Sequence, residues 1–163
     1  MGSVGEVMSR AVFTVKPETP FKDVVETLLR NDVSGVPVVN DEGRLLGIVT
    51  EADLVSKEAY GGRRRRPLRL LADAFTGDVR WVQRAKGLTA EAIMTPWPWT
   101  VRPTDDTAFA ARRMLESRVK RLPVVDDEHR VVGIVSRHDL LRAREPETDA
   151  ALTRPEISEP RSA

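Results

Sequence analysis

The chain has 163 residues, 40% of them apolar, which is enough for one ordinary domain or for two small units that share a core. Lysine and arginine number 26 against 25 acidic residues, and a net charge of +1 excludes a global field that would draw the protein to nucleic acid or a membrane. Cysteine is absent, which excludes disulfides, thiolate metal sites and cysteine nucleophiles, and Met1 to Arg10 lack a basic stretch followed by an apolar one, so a soluble, unexported, cytoplasmic protein is expected.

In chain order, Ser3-Val4-Gly5-Glu6 matches a capping box and predicts a short helical turn. Phe13-Thr14-Val15 is a short strand candidate broken by Pro17, after which Thr19 is expected to cap a helix whose first residue is Pro20. Phe21, Val24, Val25, Leu28 and Leu29 recur at helical spacing and give that helix, from about residue 20 to 31, one apolar face. Residues 36–39 and 45–49 are β-branched or aliphatic runs separated by Asp41-Glu42-Gly43, a hairpin signal, and Thr50 caps a second helix carrying Leu54 and Val55. Gly61 to Pro67, with Arg63, Arg64, Arg65 and Arg66, reads as a solvated linker. Leu68, Leu71, Phe75, Val79 and Val82 then predict an inserted amphipathic helix ended by Gly87. The first pattern returns with Thr89 as a cap for residues 90–94, a strand at Val101, a helix over 106–118, strands over 122–125 and 131–135, and Ser136 as the last cap. Beyond residue 143 the chain is rich in Glu, Arg, Pro, Thr and Ser, as a flexible tail is.

The two patterns are one repeat. From Val7 to Leu54 every residue meets a counterpart at a constant shift, as in Pro37 and Pro123 (123 − 37 = 86), and about a third of the pairs are identical. Gly47 meets Gly133, Asp53 meets Asp139 and Met8 meets Met94. The organisation is therefore βαββα twice, an α/β (α+β) fold, with repeat 1 over 3–60, the inserted segment over 61–87, repeat 2 over 88–143 and the tail over 144–163. Met8, Met94 and Met114 are expected in the core.

Two signatures, Gly47-Ile48-Val49-Thr50-Glu51-Ala52-Asp53-Leu54 and Gly133-Ile134-Val135-Ser136-Arg137-His138-Asp139-Leu140, each follow a Pro-Val-Val strand at Pro37 or Pro123. In these residues the chain resembles the CBS-domain family in its tandem-pair form. The resemblance implies a pseudo-two-fold module whose sheets face one another across clefts that accept AMP, ADP, ATP or S-adenosylmethionine as regulatory ligand, with no required cofactor. It also implies association into homodimers and an allosteric role toward an effector protein that the sequence does not name.

Residue by residue, the resemblance gives Asp53 and Asp139 the ribose hydroxyls, which an ionised carboxylate at a helix start can accept from, and a helix-dipole role is the bland alternative. Thr50 and Ser136 offer a hydroxyl and an amide for phosphate, or simply cap. Arg121 and Lys120, where the first repeat has Gly35 and Ser34, add cations, so the two clefts are expected to differ. One site would combine Asp139, Ser136, His138 and Arg121 with Ser9, Phe13, Val33 and Ser34. The other would combine Asp53 and Thr50 with Thr95, Trp97, Trp99, Val119 and Lys120. The first is favoured for phosphate because Arg121 can bind it in bidentate fashion and His138 can add a donor. Trp97 and Trp99 either stack on adenine or block the pocket, and His129 is expected to be a solvated turn residue.

No Walker-type loop, paired metal-spaced His or nucleophile with an evident base is present, so neither catalysis nor a metal site is expected. Binding of nucleic acid or membrane is likewise not expected. The competing expectation is a structural dimerisation or partner-interaction module with no bound nucleotide.

Overall fold

The computed structural model describes residues 2–54 and 87–143. The Arg63 to Arg66 run, the expected inserted helix and the tail lie outside the described residues.

A short helix α1 (Val4–Val7) opens the chain, with the Glu6 carboxylate accepting from the Ser3 backbone N–H at 2.6 Å, as half of the expected capping box. Of the strand expected at 13–15, only Val15 pairs, bridging in parallel to Val38. Helix α2 (Phe21–Arg30) begins one residue later than its sequence signals suggest. Pro20 is the N-cap, and Thr19 spends its hydroxyl on the Lys16 N–H at 3.0 Å instead of capping. Its apolar stripe buries Val24, Val25 and Leu28. Strands β1 (Gly35–Val39) and β2 (Leu45–Thr50) form the expected antiparallel hairpin, and residues 51–54 are helical. The second repeat gives helix α3 (Ala90–Ile93), the two-residue strand β3 (Thr95–Pro96), helix α4 (Thr107–Glu116), strands β4 (Arg121–Val125) and β5 (Val131–Ser136), and helix α5 (Arg137–Arg142). The Thr89 side chain makes no capping bond to α3, whereas Asp106 caps α4 by accepting from the Ala108 N–H at 2.6 Å.

Prolines in the middle of β1 and β4 cost no hydrogen bond between hairpin strands. Each sits on the side facing a single extra residue, so that Val15 N donates to Pro37 O at 3.0 Å and Val101 N to Pro123 O at 3.1 Å. The hairpin turns match as well. Asn40 Oδ1 accepts from Glu42 N and Arg44 N, and Asp126 Oδ1 from Glu128 N and Arg130 N. The left-handed position of this turn is Gly43 (φ 79°) in the first repeat and His129 (φ 63°) in the second.

The repeats exchange their leading segments. Val4 and Met8, from the start of the chain, are buried in the core of the second repeat with Val101, Ala110, Met114, Leu122, Val124, Val135 and Leu140. Ala90 and Ile93 are buried in the core of the first with Val15, Val24, Leu28, Val36, Val38 and Val49, and Met94 packs against that cluster. Backbone bonds repeat the exchange in pairs: Gly5 N donates to Pro103 O and Glu91 N to Pro17 O, while Thr107 N donates to Gly2 O and Phe21 N to Leu88 O. The hairpin ends join across the same pseudo-dyad, Leu45 N to His129 O at 3.0 Å and Val131 N to Gly43 O at 3.1 Å.

Gly47 and Gly133 admit the exchanged methionines. A Cβ on Gly47 would lie 2.8 Å from Met94 Cγ and 2.9 Å from Thr95 O, and one on Gly133 3.1 Å from Met8 Cγ and 3.2 Å from Ser9 O. Gly47→Ala is expected to cost about 1–3 kcal/mol by overpacking, and Gly133→Ala somewhat less, measured by urea unfolding. A Gly47→Ala chain as stable as the parent would contradict this packing. His129→Gly is expected to stabilise by about 0.5–1 kcal/mol, the left-handed strain it relieves less the entropy it adds to the unfolded chain.

Candidate functional site

Each signature aspartate has one carboxylate oxygen committed to the fold. Asp53 Oδ2 accepts from Thr50 N and Thr50 Oγ1, both at 2.8 Å, and Asp139 Oδ2 accepts from Ser136 N and Ser136 Oγ, both at 2.7 Å. The residues that cap the helix starts are thus the same ones the sequence offers for ribose and phosphate, because a hydroxyl and an acid three apart in a first turn satisfy each other. The other oxygen of Asp53 accepts from the Thr95 hydroxyl at 3.2 Å. Thr95 belongs to the exchanged segment, so a sheet bridge between repeats (Ile48 to Thr95) brings a second hydroxyl to the carboxylate.

A cleft of about 530 Å³ opens at this point, within the range of roughly 300–1,000 Å³ typical of small-molecule sites. It gathers Thr50 and Asp53 from the first repeat, Thr95, Trp97 and Trp99 from the exchanged segment, and Val119 and Lys120 from the second repeat. These are the seven residues that sequence reasoning grouped around Asp53. Two further residues line the same cleft, Ser34 and Arg121, which sequence reasoning assigned to the Asp139 group. The cause is Gly35, the counterpart of Arg121. With no Cβ there, the Arg121 stem crosses the pseudo-dyad (an added Cβ would meet Arg121 Cδ at 3.0 Å) and its guanidinium donates to the Ser34 hydroxyl. Burial holds the Arg121 guanidinium below the ordinary arginine range, opposed by the negative charges of Glu51 and Asp139.

The rest of the Asp139 group does not line this cleft. Ser9 pairs with Ile134 through two backbone bonds, 2.9 and 3.0 Å, beside the α5 start that Ser136 and Asp139 cap. Val33 packs on the first core, Phe13 is 43% exposed, and His138 is exposed on the first turn of α5. Val119 divides its surface between the cleft and the second core.

Glu51 and Arg118 line the cleft and were missed in the sequence. Arg118 sits at φ 54°, just past the C-cap Ser117 of α4, where the first repeat has Asp32 at φ 50°. The break in helical pattern before Val119 was its only signal. With Lys120 and Arg121 it gives the cleft three cations against Glu51 and Asp53.

Among the described residues no group of three or more His, Cys, Asp or Glu could hold a metal, and no helix is long and apolar enough to cross a membrane.

The CBS domain profile matches twice, over residues 4–60 and 90–146. The CBS domain-containing protein CBSX2, chloroplastic, of Arabidopsis thaliana is 32% identical over 149 residues, covering 86% of this chain and 63% of its own length. The chain therefore spans under two thirds of that relative. MJ1426 of Methanocaldococcus jannaschii is 31% identical over 158 residues, 85% of this chain and 92% of that protein. Among solved structures, CBSX2 in complex with AMP superposes with a TM-score of 0.68 at 30% identity, covering 88% of this chain and 96% of that one. The twin signatures, the exchanged segments and the doubled profile match agree: the chain belongs to the CBS-domain family and carries two CBS domains.

Proposed function

We propose that the chain is a regulatory module, not an enzyme, that binds an adenosine-containing nucleotide, with AMP the first candidate, in the cleft at Asp53. The observation that carries this is the assembly in one cleft of an acidic helix start, exposed indoles and three cations. These are respectively the acceptor a ribose diol needs, the flat faces a purine stacks on, and the donors a phosphate needs. The Thr95 hydroxyl stands where a ribose hydroxyl would donate to the same carboxylate oxygen, Asp53 Oδ1. CBSX2, similar over most of this chain, has been solved with AMP. Arg121 reaching this cleft makes it, in preference to the Asp139 side, the phosphate-binding one. S-adenosylmethionine, which carries a cation in place of phosphate, fits the three basic residues less well than AMP, ADP or ATP does.

The module acts by differential affinity. A nucleotide touching both repeats favours whichever relative placement of them closes the cleft, and a homodimer or an effector protein reads that placement. Leu115 on α4 and Leu141 on α5 are 68% and 65% exposed, and the second copy covers them. Light scattering should find a dimer, and Leu115→Arg with Leu141→Arg should yield monomer; a monomeric parent chain would refute this assembly.

Isothermal titration tests the ligand. AMP should bind the parent chain, and Asp53→Asn should weaken it about 10- to 100-fold, from the roughly 1.5–3 kcal/mol of hydrogen bonds to a charged group. Asp139→Asn should change affinity by less than about threefold. Flat traces for AMP, ADP, ATP and S-adenosylmethionine alike would leave the competing account, a partner-interaction module with no nucleotide.

A further inference from the structure

Trp99 lines the cleft, and its ring also carries a cation from outside the cleft. Arg113, on the last turn of α4 and not itself among the cleft residues, holds its guanidinium carbon 4.4 Å from the Trp99 ring centroid and 5.3 Å from that of Phe109. Arg113 Nε is buried without a hydrogen-bond partner, and no carboxylate pairs with the guanidinium among the described residues. Two aromatic rings are therefore the partners the fold supplies to this half-buried cation, and cation–π attraction strengthens as such a group loses water. The arrangement has no copy in the first repeat, where Trp99, Phe109 and Arg113 correspond to Phe13, Asp23 and Thr27, and Thr27 bonds the Asp23 carbonyl instead.

We infer that Arg113 is a positioning residue for the base: it clamps Trp99 from behind, so that the indole is already set for stacking before a purine enters. Trp99 is 54% exposed on a loop between Pro98 and Thr100, and an indole free to turn would lose part of each stacking interaction to ordering. Trp97, 81% exposed and at φ 50°, has no such clamp among the described residues. The consequence is a division of labour in which Trp99 carries the base contact and Trp97 closes over it. This assignment rests on the nucleotide reading of the cleft, but the clamp itself can be tested without nucleotide.

The full chain with Trp81→Phe and Trp97→Phe leaves Trp99 as its sole tryptophan. In that background and without nucleotide, Arg113→Met, which keeps the packed stem but removes the charge, should raise acrylamide quenching of Trp99 about twofold and lower its anisotropy, and Arg113→Lys should restore part of both. Quenching unchanged in Arg113→Met would overturn the clamp whether or not nucleotide binds. In the parent background Arg113→Met should weaken AMP about 3- to 10-fold. Combined with Trp99→Leu it should add no further loss, because the arginine acts only through the ring. Additive losses, or an Arg113→Met chain that binds AMP as the parent does, would overturn the role in binding. Failure of the parent chain to bind any nucleotide would instead fall on the reading of the cleft.

Discussion

The structure depends on burying each leading segment in the opposite repeat. Val4 and Ala90 are completely buried, and Met8 and Ile93 nearly so, but each lies in the core of the half to which it does not belong by sequence. Each repeat contributes two layers of short elements, too little to close a core alone, and the borrowed helix supplies the missing wall. Because the loan is mutual, the halves must face one another. The crossing segments pass at the mouths between them, so Thr95, Trp97 and Trp99 reach a carboxylate that lies more than forty residues earlier in the chain. The cleft is thus a by-product of how the core is completed.

On this symmetric frame the buried positions stay apolar, and the differences in charge and aromatic character fall on positions the core does not need. Gly35 and Arg121, Ser34 and Lys120, Phe13 and Trp99, and Ala52 and His138 are counterparts, and all lie on loops, strand starts or first helical turns. Buried valines of the two hairpins, by contrast, recur at 38 and 124, 39 and 125, and 49 and 135, while Val36 meets the equally apolar Leu122. A gapless duplication keeps its packing while its surfaces diverge, and here divergence has put the cations and indoles around one helix start. The single arginine at the pseudo-dyad is decisive, since it can cross only toward a glycine.

Much of this was legible in the sequence for physical reasons. The constant shift between repeats, the helical stripe from Val24 to Leu28 and the Pro-Val-Val strands are set by local periodicity, and local periodicity survives folding. The residues around Asp53 were legible because the same signature that caps a helix marks the site. What periodicity does not encode is which core an apolar stripe enters. Val4 was read in a short helical turn and Met8 in the core, as found, yet nothing local says that they cross to the second repeat. The path of Arg121 was hidden in the same way, since it depends on the absence of a side chain on a residue distant in sequence. Thr19 failed as a cap because the Lys16 amide competed successfully for its hydroxyl.

A crystal structure of the chain grown with AMP tests the central claim most directly. The account predicts one nucleotide spanning the repeats, its ribose hydroxyls on the Asp53 carboxylate in place of Thr95, its phosphate toward Lys120 and Arg121, and its base against Trp99. A nucleotide seated instead at Asp139, or an Asp53 cleft left empty at saturating AMP, would contradict it.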